Sequence, residues 1–234
     1  YNLKDFDNEI YVFNNCSKNY KEKNYNWLDY SDINKLNHTF DVAISNGDIN
    51  LLNNINAKKK FAISWSIQSL EKFIRKKQLF AYFTNKPKMI LGGKYHKSKR
   101  SYITRIFGYD YYNPSIDEIF LKEKLDNSCD KKKAIFTSRS DRNMKILTDL
   151  SQNKIYPTNN KFKLFVTPYK NSENLERYSI FYRKMGTQND LIKDLKNSRV
   201  MLMPGHKAEL FCLAAEEARE LCIPIVTLGI GSLT

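Results

Sequence analysis

The chain lacks several features that would point directly to a function. Its four cysteines form no Cys-x-x-Cys pair, and neither they nor the three histidines have the spacing of zinc ligands. No apolar run approaches the roughly 20 residues that a membrane-spanning helix needs. The sequence also contains no internal repeat and no heptad pattern. We therefore expect no metal site, no membrane span, and reduced thiols in a cytoplasmic protein.

Acidic residues are too few to balance the basic ones. The 234 residues carry 39 Lys and Arg against 25 Asp and Glu, which gives a net charge of +14. This excess favours anionic partners, namely nucleotide sugars, phosphorylated glycolipids, an anionic membrane surface or nucleic acid. Residues 94–105, where five basic side chains alternate with aromatic ones, allow the same partners. A solvated helix face is the simpler interpretation of that segment.

Short β-branched and apolar runs alternate with helical patterns along most of the chain. The predicted strands are 10–13, 40–45, 61–66, 88–93, 133–138, 163–168, 178–182, 200–203 and 223–227, and the clearest helices cover 69–82, 144–150 and 186–195. Residues 16–37 read as irregular, and the polar stretch 122–133 reads as a linker. This order predicts an α/β protein with two parallel-sheet domains, 1–129 and 130–234.

Two candidate site segments lie in the second half. A Pro-Gly break after residues 200–203 leads into a helical pattern in which Glu217 falls within an apolar stripe. That stripe consists of Leu210, Leu213, Ala214, Ala218 and Leu221. A buried carboxylate needs a cation or a ligand hydroxyl, because an unpaired one costs several kcal/mol. Glu209 enters the same helix beside backbone N–H groups. Arg139 and Arg142 follow the strand at 133–138, where forked donors suit a diphosphate.

The segment from Glu209 to Glu217, followed by Ile223-Pro-Ile-Val and Gly231-Ser, resembles the Glu-x7-Glu signature of the GT-B glycosyltransferases of family 4. The family usually has glycine where this chain has Leu210, Cys212 and Cys222. Residues 113–120 resemble the segment that closes the family's N-terminal domain, and Arg139 with Arg142 resembles its basic turn. Because the chain starts at Tyr1 and stops just after this signature, we expect both ends to be trimmed.

The resemblance implies two Rossmann-like domains facing across a cleft. It implies a retaining, metal-independent hexosyltransferase that needs no cofactor and moves a sugar from a nucleoside diphosphate to a glycan, lipid-linked or cell-envelope acceptor. The enzyme would then act in polysaccharide or lipopolysaccharide synthesis. It would lie in the cytoplasm, either at the inner face of the membrane or away from it. Residues 1–129 would serve the acceptor and 130–234 the donor.

The resemblance also implies roles for individual residues. Glu209, Arg139 and Arg142 would be catalytic, and Glu217 would bind the donor ribose. The other expected donor contacts are Leu210, Phe211, Cys212, Leu213, Ser138, Gly205 and His206. No nucleic acid is expected, yet a basic nucleic-acid-binding protein, an epimerase of the same fold and a non-catalytic relative stay open as alternatives.

Overall fold

The computed structural model describes residues 8–15, 18–67, 70–112, 114–123, 129–168 and 175–234. Contacts divide the chain into two compact units, each made of two stretches. Unit 1 comprises Tyr1–Leu91 and Arg100–Asp110, and unit 2 comprises Gly92–Lys99 and Tyr111–Thr234. The expected domain boundary lies between residues 129 and 130, so the division by contacts differs from it. The roles expected of the two domains stay predictions. Cys16 and part of the segment 113–120 lie outside the described residues.

A small three-stranded sheet stands first in unit 1. It contains β1 (Ile10–Asn14), β2 (Tyr20–Glu22) and β3 (Tyr25–Asp29) in the order β1-β3-β2. Strand β3 is parallel to β1 and antiparallel to β2. The expectation of irregular structure over residues 16–37 is therefore wrong, because polar and tyrosine-rich segments gain strand geometry from pairing with a neighbour.

A four-stranded sheet carries the core of unit 1. Its strands are β4 (Phe40–Asn46), β5 (Ala57–Ile63), β6 (Lys88–Leu91) and β7 (Tyr109–Tyr111), in that order. Strands β4, β5 and β6 are parallel, as expected. One helix was predicted over 69–82, but α1 (Leu70–Arg75) and α2 (Gln78–Asn85) are separate because Lys77 between them has a positive φ of 53°. Short 3-10 helices cover Tyr30–Lys35, Ile49–Leu52 and Tyr102–Arg105.

Unit 2 is built on a five-stranded parallel sheet. Its strands are β8 (Asp130–Phe136), β9 (Lys163–Val166), β10 (Ile180–Tyr182), β11 (Ser198–Met203) and β12 (Ile225–Thr227). The order across the sheet is β10-β9-β8-β11-β12, and all four pairings are parallel. The sequence predicted both ends of each of these five strands to within three residues. The expected α/β fold with two parallel sheets is confirmed.

The helices of unit 2 are short. They are α3 (Lys94–Ser98), α4 (Glu118–Leu121), α5 (Met144–Leu150), α6 (Tyr156–Thr158), α7 (Gln188–Lys196) and α8 (Leu213–Glu220). A π-helical turn, Ser151–Ile155, joins α5 to α6, and 3-10 turns cover Glu176–Tyr178 and Gly231–Leu233. Helix α7 starts with a capping box in which Thr187 and Asp190 satisfy each other's backbone N–H groups.

The central strand of unit 2, β8, is buried on both faces over its second half. Ala134, Ile135 and Phe136 are consecutive in β8 and each is fully buried, which is typical of a parallel sheet covered on both sides. Lys133 precedes them and is also buried, with its ammonium 4.5 Å from the Phe165 ring centroid. The carboxylate of Asp194 lies 3.6 Å from the Lys133 Nζ and 3.0 Å from the Arg183 Nε, so two buried cations share this one acid.

Within the described part of the chain, no helix combines the length and the apolar character needed to cross a bilayer.

Candidate active site

The strand order of unit 2 reverses between β8 and β11. Strands β8, β9 and β10 extend outward in one direction, and β11 then returns to the other side of β8. The loops that follow β8 and β11 therefore leave the sheet in opposite directions. In sheets of this type, ligands bind at the carboxyl ends of the two strands that flank such a reversal. The candidate site consists of the residues that follow these two strands.

The loop after β11 packs its backbone directly against the turn after β12. Gly205 has a φ of +80°, and a Cβ atom there would lie 2.4 Å from the carbonyl oxygen of Ile230. Gly231 has a φ of +76°, and a Cβ atom there would lie 2.2 Å from the carbonyl oxygen of His206. Only glycine fits both positions without strain. These two contacts fix the loop that carries His206 and Glu209.

Arg142 reaches from the turn after β8 to this loop. Its Nη1 lies 3.2 Å from Nδ1 of His206, and the backbone N–H of Ala208 donates to the same nitrogen over 3.1 Å. A guanidinium can only donate, so Nδ1 of His206 accepts both bonds and the ring proton lies on Nε2. Asn143 adds a second link, because its side-chain amide donates to the carbonyl of Gly205 over 2.7 Å. The turn and the loop thus form one rigid group.

Glu209 is the most unusual residue of the site. Only 7% of its surface is exposed to solvent, and its Oε2 has no hydrogen-bond partner in the part of the chain that the structure describes. Burial raises the pKa of its carboxyl group, and attraction to Arg142 and a hydrogen bond with Cys212 oppose that rise. Buried acceptors without a partner are rare because each one costs about 1–3 kcal/mol. Such an atom is suited to accept a hydrogen bond from a ligand.

Helix α8 begins at Leu213, four positions after Glu209, and its N-cap residue, Cys212, makes no side-chain capping bond. The first N–H groups of a helix lack a partner four residues earlier and attract negatively polarised ligand atoms. In α8 the N–H of Ala215 already donates to the carbonyl of Cys212, so the N–H groups before it are the ones that suit a ligand. Cys212 itself is buried, and burial raises the pKa of its thiol to about 12, so it stays protonated. The expected donor contacts Leu210, Phe211, Cys212 and Leu213 all fall in this stretch, where Leu210 and Phe211 are half-buried.

The two arginines after β8 have different surroundings. Arg139 keeps 75% of its side-chain exposure, and its Nε and Nη2 donate to the two carboxylate oxygens of Asp141 at 3.0 and 2.6 Å. That pairing raises the pKa of Arg139 and lowers the pKa of Asp141. Arg142, in contrast, is half-buried and contacts the loop after β11. Ser138 is half-buried at the start of the same turn.

Glu217 lies at the margin of the buried face of α8. The helix begins at Leu213 rather than at Leu210, and Leu213 is 46% exposed, so the predicted apolar stripe is wrong at that position. The buried stripe instead contains Cys212, Ala215, Ala218 and Leu221, which follow one another at intervals of three. Glu217 stands next to it, half-buried, and burial raises the pKa of its carboxyl group. A ligand role for Glu217 stays a prediction.

Sequence reasoning missed two residues that shape this site. Asn143 has a φ of 63°, a left-handed conformation that asparagine tolerates better than most residues, and its position in a polar turn was the available signal. Tyr95, in α3, donates from its hydroxyl to the carbonyl of Lys207 over 2.7 Å. Tyr95 and Lys207 are 112 positions apart in the chain, so no local sequence pattern predicts this hydrogen bond.

Among the residues that the structure covers, no group of three or more His, Cys, Asp and Glu side chains is arranged to hold a metal ion. The cysteines in the described ranges, Cys129, Cys212 and Cys222, are free thiols.

Comparison with known proteins gives a fold but no sequence family. No protein-family model and no curated protein sequence matches the chain. Solved structures do match, and they are GT-B glycosyltransferases. The structure therefore defines a chain with the GT-B type of α/β fold. Membership of family 4 and the Glu-x7-Glu signature stay predictions.

Three of these structures show the extent of the likeness. TarM matches with a TM-score of 0.59 and 16% identity over 81% of this chain and 41% of its own. The pneumococcal O-GlcNAc transferase GtfA, solved with UDP and GlcNAc, matches with a TM-score of 0.57 and 10% identity over 86% and 44%. A trehalose-6-phosphate synthase studied with bisubstrate glycomimetics matches with a TM-score of 0.62 and 11% identity over 95% and 78%. The chain thus spans less than half the length of the first two.

Proposed function

We propose that this chain belongs to a retaining glycosyltransferase of the family 4 type, which transfers a hexosyl group from a nucleoside-diphosphate sugar. The acceptor would be a glycan, a lipid-linked sugar or a cell-envelope polymer, and the reaction would need no metal ion. The observation that carries the proposal is the buried Oε2 of Glu209, which has no partner among the described residues and lies beside Arg142 at the reversal of the sheet.

The chemistry of a nucleotide sugar fits the groups at this position. Arg142 would neutralise the diphosphate, whose negative charge grows as the bond to the sugar breaks. The carboxylate of Glu209 would accept a hydrogen bond from a sugar hydroxyl, and the first-turn N–H groups of α8 would donate to the same sugar. Glu217 would accept from the ribose. Because His206 carries its ring proton on Nε2, it would donate to the donor substrate and not remove a proton through that atom.

Catalysis would therefore depend on charge stabilisation by groups that are already in position. Arg142 is held by His206, and His206 is held by Ala208, so these groups need little rearrangement as the leaving diphosphate departs. The trehalose-6-phosphate synthase was studied for the mechanism of enzymatic glycosyl transfer with retention. Its shared fold supports the proposal that this chain uses the same stereochemical course.

The test is direct binding of the donor substrate. Isothermal titration with UDP-, GDP- and ADP-glucose should give binding to at least one of them, and Arg142→Ala should weaken it at least tenfold. Arg177→Ala is the matched control, because Arg177 is exposed, packs on the Tyr178 ring and precedes β10 at the opposite edge of the sheet. The proposal fails if no nucleotide sugar binds, or if both variants lose the same affinity.

A further inference from the structure

Helix α3 belongs to the same compact unit as the candidate site. The hydroxyl of Tyr95 donates to the carbonyl of Lys207 over 2.7 Å, and Lys207 lies between His206 and Glu209. Helix α3 also packs against the 3-10 turn Gly231–Leu233. At the start of this segment, a Cβ atom on Gly92 would lie 3.6 Å from both Cβ and the carbonyl oxygen of Leu210. The segment Gly92–Lys99 therefore lines the loop that carries Glu209.

The described segments that form this contact carry exposed cations and few acids. Lys94, Lys99 and Lys207 are exposed. We call these three residues the lysine strip. The segments that meet here, 92–99, 204–212 and 229–234, contain a single acidic residue, Glu209, and it is buried. The positive charge of the lysine strip is thus not balanced by acidic residues of these segments.

The residue type indicates the kind of ligand. Arginine suits one anion in a fixed bidentate geometry, whereas lysine offers a point charge on a flexible stem. Three exposed lysines around one contact can follow anionic groups that repeat along a chain without fixing any one of them. The Nζ of Lys99 lies 5.6 Å from the ring centroid of Tyr95, which brings its charge to the contact with Lys207.

We propose that the lysine strip binds a polyanionic acceptor, a soluble chain with repeated phosphate or carboxylate groups, and guides it to the candidate active site. This inference rests on the proposed function and narrows its acceptor class. A neutral glycan would gain nothing from the lysine strip, since binding to it depends on counterion release and charge pairing.

Polyphosphate and poly-L-glutamate serve as probes and distinguish the two anionic chemistries. Binding to the whole chain is measured by fluorescence anisotropy over a range of salt concentrations. The triple variant Lys94→Gln, Lys99→Gln, Lys207→Gln should bind the preferred polyanion at least tenfold more weakly. Its slope of log affinity against log salt should be shallower by about 2–3, roughly one for each lysine removed.

The matched control removes the same charge from the opposite edge of the sheet. Lys131, Lys132 and Lys163 are exposed near the starts of β8 and β9, and their triple glutamine variant should keep the original affinity and slope. Equal losses in both variants would show that net charge alone binds the probe, and the inference would be wrong. Preference for phosphatidylglycerol vesicles over both soluble chains would also overturn it.

Donor binding separates this inference from the proposed function. The lysine-strip variant should bind the nucleotide sugar as tightly as the original chain, since its three substitutions lie outside the residues assigned to the donor. If the original chain binds no nucleotide sugar, the proposed function fails even where polyanion binding depends on the lysine strip. If nucleotide sugar binds and polyanion binding ignores the lysine strip, only the present inference fails.

Discussion

Glu209 should lower the stability of the chain at neutral pH, and replacing it by glutamine should raise that stability. Its carboxyl group is 7% exposed, its Oε2 is unpartnered among the described residues, and burial raises its pKa above the ordinary 4.5. A carboxyl group with a raised pKa in the folded state binds its proton more tightly there than in the unfolded chain. The free energy of unfolding therefore falls as pH rises above 4.5.

The expected gain follows from the cost of the unpartnered charge. An unsatisfied buried acceptor costs about 1–3 kcal/mol. Glutamine keeps the shape and a buried polar group, so it removes only the extra cost that the charge adds, and it also removes the attraction to Arg142 that partly offsets that cost. We therefore expect Glu209→Gln to gain about 1–2 kcal/mol, which corresponds to roughly 2–8 °C in melting temperature for a chain of this size.

Thermal unfolding of both proteins at several pH values checks this prediction. The gain should be present at about pH 8 and should vanish by about pH 4, where the carboxyl group is protonated in both folded and unfolded chains. A saturating nucleotide sugar should narrow the difference, because it stabilises only a protein that binds it. The reasoning is refuted if Glu209→Gln is less stable at pH 8, or if its gain is the same at both pH values.

Three further predictions concern the same region. Arg142→Lys should recover only part of the donor affinity that Arg142→Ala loses, because a lysine ammonium lacks the planar, forked donors with which a guanidinium can bond a diphosphate and His206 together. Titration calorimetry measures the donor affinity of both variants. Gly231→Ala should lower the free energy of unfolding by at least about 2 kcal/mol in chemical denaturation, since its Cβ would collide with the carbonyl oxygen of His206 at a φ of +76°. Cys212 should react with iodoacetamide far more slowly than the exposed Cys222, as site-resolved mass spectrometry would show; equal rates would contradict its burial.

The fold of unit 2 was largely predictable because its central strand, β8, is buried on both faces. A run such as Ala134, Ile135 and Phe136 has few alternatives to a central parallel strand, and the resemblance around Glu209 agreed with it. Strands β2 and β3 were not predictable, since their polar and tyrosine-rich residues become strands only through pairing. The break between α1 and α2 depends on one positive φ at Lys77, which no periodicity reveals.

The contacts of the candidate site were not predictable from the sequence. The family resemblance brought Arg142, His206 and Glu209 into one hypothesis, and the structure places these three residues together, while their roles stay predictions. The sequence alone could not show that Arg142 and Arg139 have different surroundings, because the pairing of Arg139 with Asp141 depends on the turn geometry. Nor could it predict that α8 starts at Leu213, three residues later than the apolar pattern suggested.

Residues 92–99 have a consequence for any attempt to divide the protein. The chain passes between the two units three times, after residues 91, 99 and 110. A fragment that starts at residue 111 would retain every strand of the five-stranded sheet, yet it would leave the carbonyl of Lys207 and the turn Gly231–Leu233 without the helix that covers them. Separate production of the two halves would therefore damage the very loop whose ligands one would wish to study.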